Sequence, residues 1–265
     1  MIFDEFKLEG KVAIVTGAGR GIGKAISLAF AEAGADVVAV SRTKEEIEET
    51  RREVKALGRQ SLAIPADVTK ADQVDRMVEE TVSHFKKIDI LVNNAGTAGF
   101  KAIVSSDGQK MTEEEWHKVI DANLTSIFLC CRAVGPHMFN QKKGKVINIS
   151  SISSQKAQTD DIPYNVSKAG VDMITRCLAL DWAPYNINVN AIGPGQFYTK
   201  LSAKSHEDPK LRERMVACIP LGRVGNVREI GYLAVYLASP ASDFVTGQIV
   251  FIDGGCSQFS PYKVK

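Results

Sequence analysis

Residues 12–23 read VAIVTGAGRGIG: a short apolar run, Val12 to Thr16, leads straight into glycines at 17, 19, 21 and 23. The run has the length and composition of a buried strand, and the glycines permit a tight turn and close approach of backbone to a ligand. The residues that follow read as a helix, whose first amide N–H groups have no partner inside the helix and can seat a pyrophosphate. The spacing is G-x-x-x-G-x-G, since the last glycine of a G-x-G-x-x-G template falls at Ile22. No Gly-Lys-Ser/Thr follows, so a P-loop is excluded. A glycine turn without a ligand is the plain alternative. Placement directly after the first strand favours a dinucleotide, with Gly17, Gly19, Arg20, Gly21, Ile22 and Gly23 around its phosphates.

Outward from this stretch, strand and helix patterns alternate. Strand candidates lie at 12–16, 36–41, 61–66, 88–93, 145–149, 187–192 and 248–252, and helical patterns near 22–33, 43–57, 70–86, 112–138, 163–185 and 226–239. Near-continuous apolar strands separated by amphipathic helices predict an α/β fold, a doubly wound parallel sheet of seven strands with helices on both faces. No linker or repeat divides residues 1–265, so a single domain is expected. Two segments fall outside the alternation: 97–111, and 195–225 with a weak helical pattern near Pro209–Val216. Both leave carboxyl ends of strands, where open α/β sheets bind ligands, and 195–225 is read as a flexible substrate flap.

The composition narrows the function classes. With Lys+Arg 33 against Asp+Glu 31 the net charge is +2, too small a field to argue for nucleic acid or a membrane surface. Five cysteines without metal-ligand spacing, two of them adjacent in an apolar pattern, suit core thiols in a reducing, cytoplasmic setting. No apolar run reaches the roughly 18 residues needed to span a bilayer. The acidic start MIFDEFKLEGK is unlike a signal peptide. No metal site is expected.

Adenosine recognition belongs at the end of the second strand. An acid there would bond a ribose 2′-hydroxyl and repel a 2′-phosphate. Here Asp36 stands at the strand's start, and its end reads Ser41-Arg42-Thr43. Arg42 and Arg20 are expected to clamp a 2′-phosphate, which favours NADP(H) while leaving NAD(H) possible. Two solvated arginines are the bland alternative. At the chemical end, Tyr164 and Lys168 are four apart in a helical pattern and share a face. A cation beside a phenol lowers its pKa from about 10, which makes Tyr164 a candidate acid/base. Taken alone, such a pair is common and usually means nothing.

Its context resembles the short-chain dehydrogenase/reductase family, from about Leu8 to Gly255. Thr16–Gly23 matches that family's T-G-x-x-x-G-x-G motif, and Asn93-Asn94-Ala95-Gly96 its N-N-A-G motif. Ser151 lies 13 residues before Tyr164, the family's usual interval, and Asn123 falls where the family has an active-site Asn. Pro194-Gly195 with Thr199 matches the segment that meets the nicotinamide, and Asp67-Val68 the acidic pair near the adenine. The resemblance implies that Tyr164 gives a proton to a carbonyl oxygen as hydride arrives at its carbon. Ser151 would hydrogen-bond that oxygen, Lys168 would hold the ribose and lower the Tyr164 pKa, and Asn123 would carry a water. Asn94, Ala95 and Gly96 would shape the cofactor site. The chain between Asn94 and Asn123 is longer than the family leads one to expect, beside the substrate cleft. Ser151, Ser153, Gln155, Gln158, Tyr164, Gln196 and Tyr198 are expected to meet the substrate, and suit a small keto, sugar or polyol compound. A 3-oxoacyl-carrier-protein reductase, an NAD-dependent alcohol dehydrogenase and a non-catalytic dinucleotide sensor are the rivals. The family resemblance also implies a homotetramer built through the long helices.

Overall fold

The computed structural model describes residues 2–99, 101–199 and 208–258. Seven strands form one parallel sheet in the order β3-β2-β1-β4-β5-β6-β7. They are β1 (Val12–Thr16), β2 (Asp36–Ser41), β3 (Ser61–Pro65), β4 (Ile90–Asn93), β5 (Gly144–Ile149), β6 (Ile187–Pro194) and β7 (Ile249–Ile252). The helices are α1 (Gly21–Glu32), α2 (Lys44–Ala56), α3 (Ala71–Phe85), α4 (Glu113–Ile120), α5 (Ser126–Gln141), α6 (Ile162–Trp182), α7 (Pro209–Ala217) and α8 (Val227–Ala238).

The apolar runs are strands because both faces are covered. Ile14 points into a core with Val74 and Met77 of α3, Val134 and Met138 of α5, and Val171 of α6. Its neighbours Ala13 and Val15 point the other way, into a core with Ile26 and Phe30 of α1, Ile47 of α2, and Ile230 and Ala234 of α8. Burying each large side chain contributes about 1.5–3 kcal/mol, so two such layers leave little freedom in register. Winding reverses between β1 and β4, which pair directly through Val15 and Val92. The crevice above that reversal is where such sheets bind ligands.

Most predicted boundaries hold to within two residues. The exception is 112–138, which is not one helix. Thr112 caps α4 in a reciprocal pair with Glu115, and a π turn over Asp121–Thr125 then joins it to α5. Among the described residues no helix is long and apolar enough to cross a membrane.

Candidate active site

At the phosphate end, the glycines are required by their neighbours. Gly17 and Gly21 adopt positive φ. A Cβ on Gly23 would lie 2.2 Å from the Gly17 carbonyl oxygen and 2.4 Å from Asn94 Nδ2. Asn94 is the brace of this loop: its Nδ2 donates to the carbonyls of Thr16 at 2.9 Å and Gly17 at 3.2 Å. Thr16 Oγ1 in turn accepts the amides of Asn94 and Ala95 at 2.9 and 3.0 Å, which locks the ends of β1 and β4 together. Gly96 sits against Asn123 Oδ1. The residue that caps α1, Arg20, makes no side-chain bond to the helix's free N–H groups. An unfilled helix N-terminus behind a braced glycine loop, with Ile22 in its first turn, fits a dinucleotide's pyrophosphate. Thr199 comes over this loop, its Cγ2 3.6 Å from where a Gly21 Cβ would be.

The two arginines of the adenosine end differ. Arg42 is exposed, and among the described residues it makes no ion pair; its charge acts on Asp67. Arg20 is held by Glu46 at 3.0 Å, and Glu46 with Ser41 packs over Gly19. Asp67 accepts the amide and hydroxyl of Thr69 at 3.0 and 2.8 Å, while Val68 is core. These bonds and Arg42 hold the Asp67 carboxyl down against the opposing effect of burial.

At the chemical end, β5 delivers three successive residues to α6. The Ile149 carbonyl accepts from Lys168 Nζ at 2.8 Å, Ser150 Oγ donates to Asp172 Oδ1 at 2.5 Å, and the Ser151 hydroxyl comes near enough to the Tyr164 phenol to act on its proton. Ser150 is thus tied to Asp172, and Ser151 is the serine of the two that acts on Tyr164. Lys168 Nζ lies 5.5 Å from the centre of the Tyr164 ring. Burial pulls Lys168 down to about 8, opposed by the charge of Asp172.

The expected lowering of Tyr164 by Lys168 is not found. Burial pushes the phenol up, the Ser151 hydroxyl pulls it back, and the nearby charge of Asp161 adds to the rise. Desolvation of the phenolate is the largest of these effects, and the charge of Lys168 is not among them. Asn123, in the π turn, is buried with every side-chain atom engaged: Oδ1 takes the Thr97 amide at 2.7 Å, and Nδ2 donates to Thr97 O at 2.9 Å and Ser167 Oγ at 3.0 Å. Its amide group clamps the loop after β4 to α6.

The substrate candidates scatter more widely. Ser153 is buried, donates its amide to Ser151 Oγ at 3.1 Å and leaves its own hydroxyl without a partner. Gln155 and Gln158 are exposed, Gln196 is half-buried, and Tyr198 is exposed. Pro194 ends β6 beside Ile252, and Gly195 packs on Asp253. Of the flap, 200–207 lie outside the described residues. Within the described part Pro209–Ala217 forms α7, over a cavity of about 480 Å³ that no residue of the Ser151–Tyr164–Lys168 cluster lines. Sequence reasoning missed Asp161, which is 2% exposed three residues before Tyr164 and accepts the Gly99 amide at 3.3 Å. Its i, i+3 spacing from Tyr164 was the available signal.

Residues 17–257 match the family model described as enoyl-(acyl carrier protein) reductase. The chain belongs to the short-chain dehydrogenase/reductase family. It is 39% identical over 249 residues to the 3-oxoacyl-(acyl-carrier-protein) reductase FabG of Thermotoga maritima, covering 94% of this chain and 98% of that one. It is also 39% identical over 256 residues to the 2-dehydro-3-deoxy-D-gluconate 5-dehydrogenase of Escherichia coli, covering 96% and 98%. Among solved structures, a gluconate 5-dehydrogenase from Burkholderia cenocepacia J2315 in complex with NADP and tartrate superposes with a TM-score of 0.92 at 36% identity, covering 98% and 100%. Like other short-chain dehydrogenases, this chain is an oxidoreductase that interconverts CH–OH and carbonyl groups.

Proposed function

We propose that the chain is an NADP(H)-dependent carbonyl reductase/alcohol dehydrogenase for a small polar keto, sugar or polyol substrate, with Tyr164 as its acid/base. The convergence of Ser151, Tyr164 and Lys168 on one buried junction of β5 and α6 carries this reading. When bound, the nicotinamide supplies the hydride. Tyr164 gives the proton to the carbonyl oxygen, and Ser151 donates a hydrogen bond to the same oxygen as charge develops there. The raised phenol keeps Tyr164 loaded with its proton for reduction. Lys168 holds the ribose side of the cofactor; the glycine loop, with Asn94, Ala95 and Gly96 beside it, seats the phosphates.

Several observations support the finer choices. Arg42, unpaired at the end of β2, is placed for a 2′-phosphate, and the structural relative from Burkholderia cenocepacia carries NADP. Polar Gln155, Gln158 and Gln196, in the loops after β5 and β6, suit a hydroxylated substrate, as do relatives that act on gluconates. Thr199 over Gly21 supports a flap, 195–225, that closes on the cofactor. Exposed Phe128 of α5 and Val166, Met173 and Leu180 of α6 support a homotetramer assembled through these helices. Five unpaired cysteines suit the cytoplasm.

The test is a binding titration of NADPH and NADH, followed by a panel of keto-sugars, ketones and a 3-oxoacyl thioester with the preferred cofactor. Tight NADPH and weak NADH binding, relaxed by Arg42→Asp, is the expected result. A preference for NADH would overturn the cofactor assignment, and turnover confined to the thioester would overturn the substrate class.

A further inference from the structure

Asp172 is a buried carboxylate that none of the roles above uses. It is 4% exposed, and on α6 it follows Lys168 (6% exposed) by four residues, so the two side chains share one inward face. A carboxylate removed from water needs both a counter-charge and hydrogen bonds. Ser150 Oγ donates to Asp172 Oδ1 at 2.5 Å and lies 3.4 Å from the Lys168 carbonyl. Consecutive residues 149 and 150 are therefore each fastened to α6, through Lys168 and Asp172, and Ser151, next in line, acts on the Tyr164 phenol.

We propose that Asp172 is a positioning residue: its carboxylate holds Lys168 as a cation inside the protein and, through Ser150, fixes the backbone that presents Ser151. This rests on the proposed function. The groups facing Lys168 leave Asp172 alone in the first role. Among the described residues, β5 offers the Ile149 carbonyl, and Asn123 of the π turn is uncharged and bonded to the neighbouring Ser167. On α6 itself, Tyr164 presents its ring at 5.5 Å, and the charge of Asp161 acts on Tyr164. Burial works against the lysine's proton, and Asp172 is the charge that opposes it.

The test follows kcat/KM for the reduced cofactor against pH, in the wild type and in Asp172→Asn. The amide keeps an acceptor for Ser150 and removes the charge. Without that charge Lys168 loses its proton at lower pH, so the alkaline limb should move acidward by about one pH unit. A merely structural role would lower activity without moving the limb, and an unmoved limb in folded Asp172→Asn overturns the proposal. Should that variant fail to fold, Asp172→Ala makes room for a small carboxylate: formate is expected to restore the displaced limb. An Asp172→Ala limb that coincides with the wild type without formate overturns the proposal as well. Tyr164→Phe measured alongside separates the two possible failures. Turnover surviving in Tyr164→Phe refutes the proposed function, whereas an inert Tyr164→Phe with an unmoved Asp172→Asn limb refutes only the positioning role.

Discussion

Gly23 has no room for a side chain, because the Gly17 carbonyl and the Asn94 amide occupy the place a Cβ would take. Both neighbours are fixed by other bonds, so Gly23→Ala must push the phosphate loop itself. A loss of about 1–3 kcal/mol in stability, with cofactor binding weakened about tenfold or more, is the expected outcome of melting and titration experiments. Glu46 makes an opposite prediction. It occupies Arg20 with a carboxylate, in the way a 2′-phosphate would. Glu46→Gln should release Arg20 and tighten NADPH severalfold while leaving NADH unchanged; equal effects on both cofactors would show that the pair plays no part in selectivity. At this scale the glycine loop could be read from its own spacing, whereas Ser151, Tyr164 and Lys168 were singled out through resemblance to the family. The Arg20–Glu46 pair and the role of Ser150 were not legible, since each depends on which elements pack side by side.

Among the elements, α8 shows how a helix start can be made acid-sensitive. Asn226 and Glu229 cap it reciprocally, and Arg223 adds a two-pronged bond to the Glu229 carboxylate at 2.7 and 3.0 Å. The Arg223 bond, with the Asn226 amide second, holds Glu229 down to about 2, below the 4.5 of a free glutamate. A lowered acid stabilises the fold above its unfolded value and loses that contribution as pH falls through its folded one. Glu229→Gln should therefore be less stable than wild type near neutrality, by about 1 kcal/mol or less at so exposed a site. The two should converge as the pH falls from 4.5 toward 2, as a series of thermal melts would show. The break of 112–138 into α4, a π turn and α5 was not legible. Apolar spacing continues across Asn123, and what widens the turn is a tertiary demand: the Asn123 amide must reach Thr97 and Ser167 together. Asparagine is a poor mid-helix residue, which was the only local hint.

For the whole molecule, a parallel seven-stranded sheet was foreseen from alternation, since apolar strands buried on both faces admit few other arrangements, while the strand order emerged only from the structure. Substrate identity was not legible, because the segments expected beside the substrate, 97–111 and 195–225, carry no periodicity that constrains the chain. Assembly is where exposed surface makes its own prediction. Leu180 is 78% exposed on the same helix face as Met173 and Val166, more apolar area than an isolated helix face is expected to leave in water. Sedimentation should find a tetramer, and Leu180→Glu should split it without unfolding the protomer; a stable wild-type monomer would contradict that assembly. The central claim is that Tyr164 donates the proton. The most direct measurement is turnover of the preferred ketone by Tyr164→Phe, with NADPH affinity measured on the same sample. The account predicts a fall of about 10²- to 10⁴-fold in turnover with NADPH binding retained. Turnover within a few-fold of wild type would contradict it.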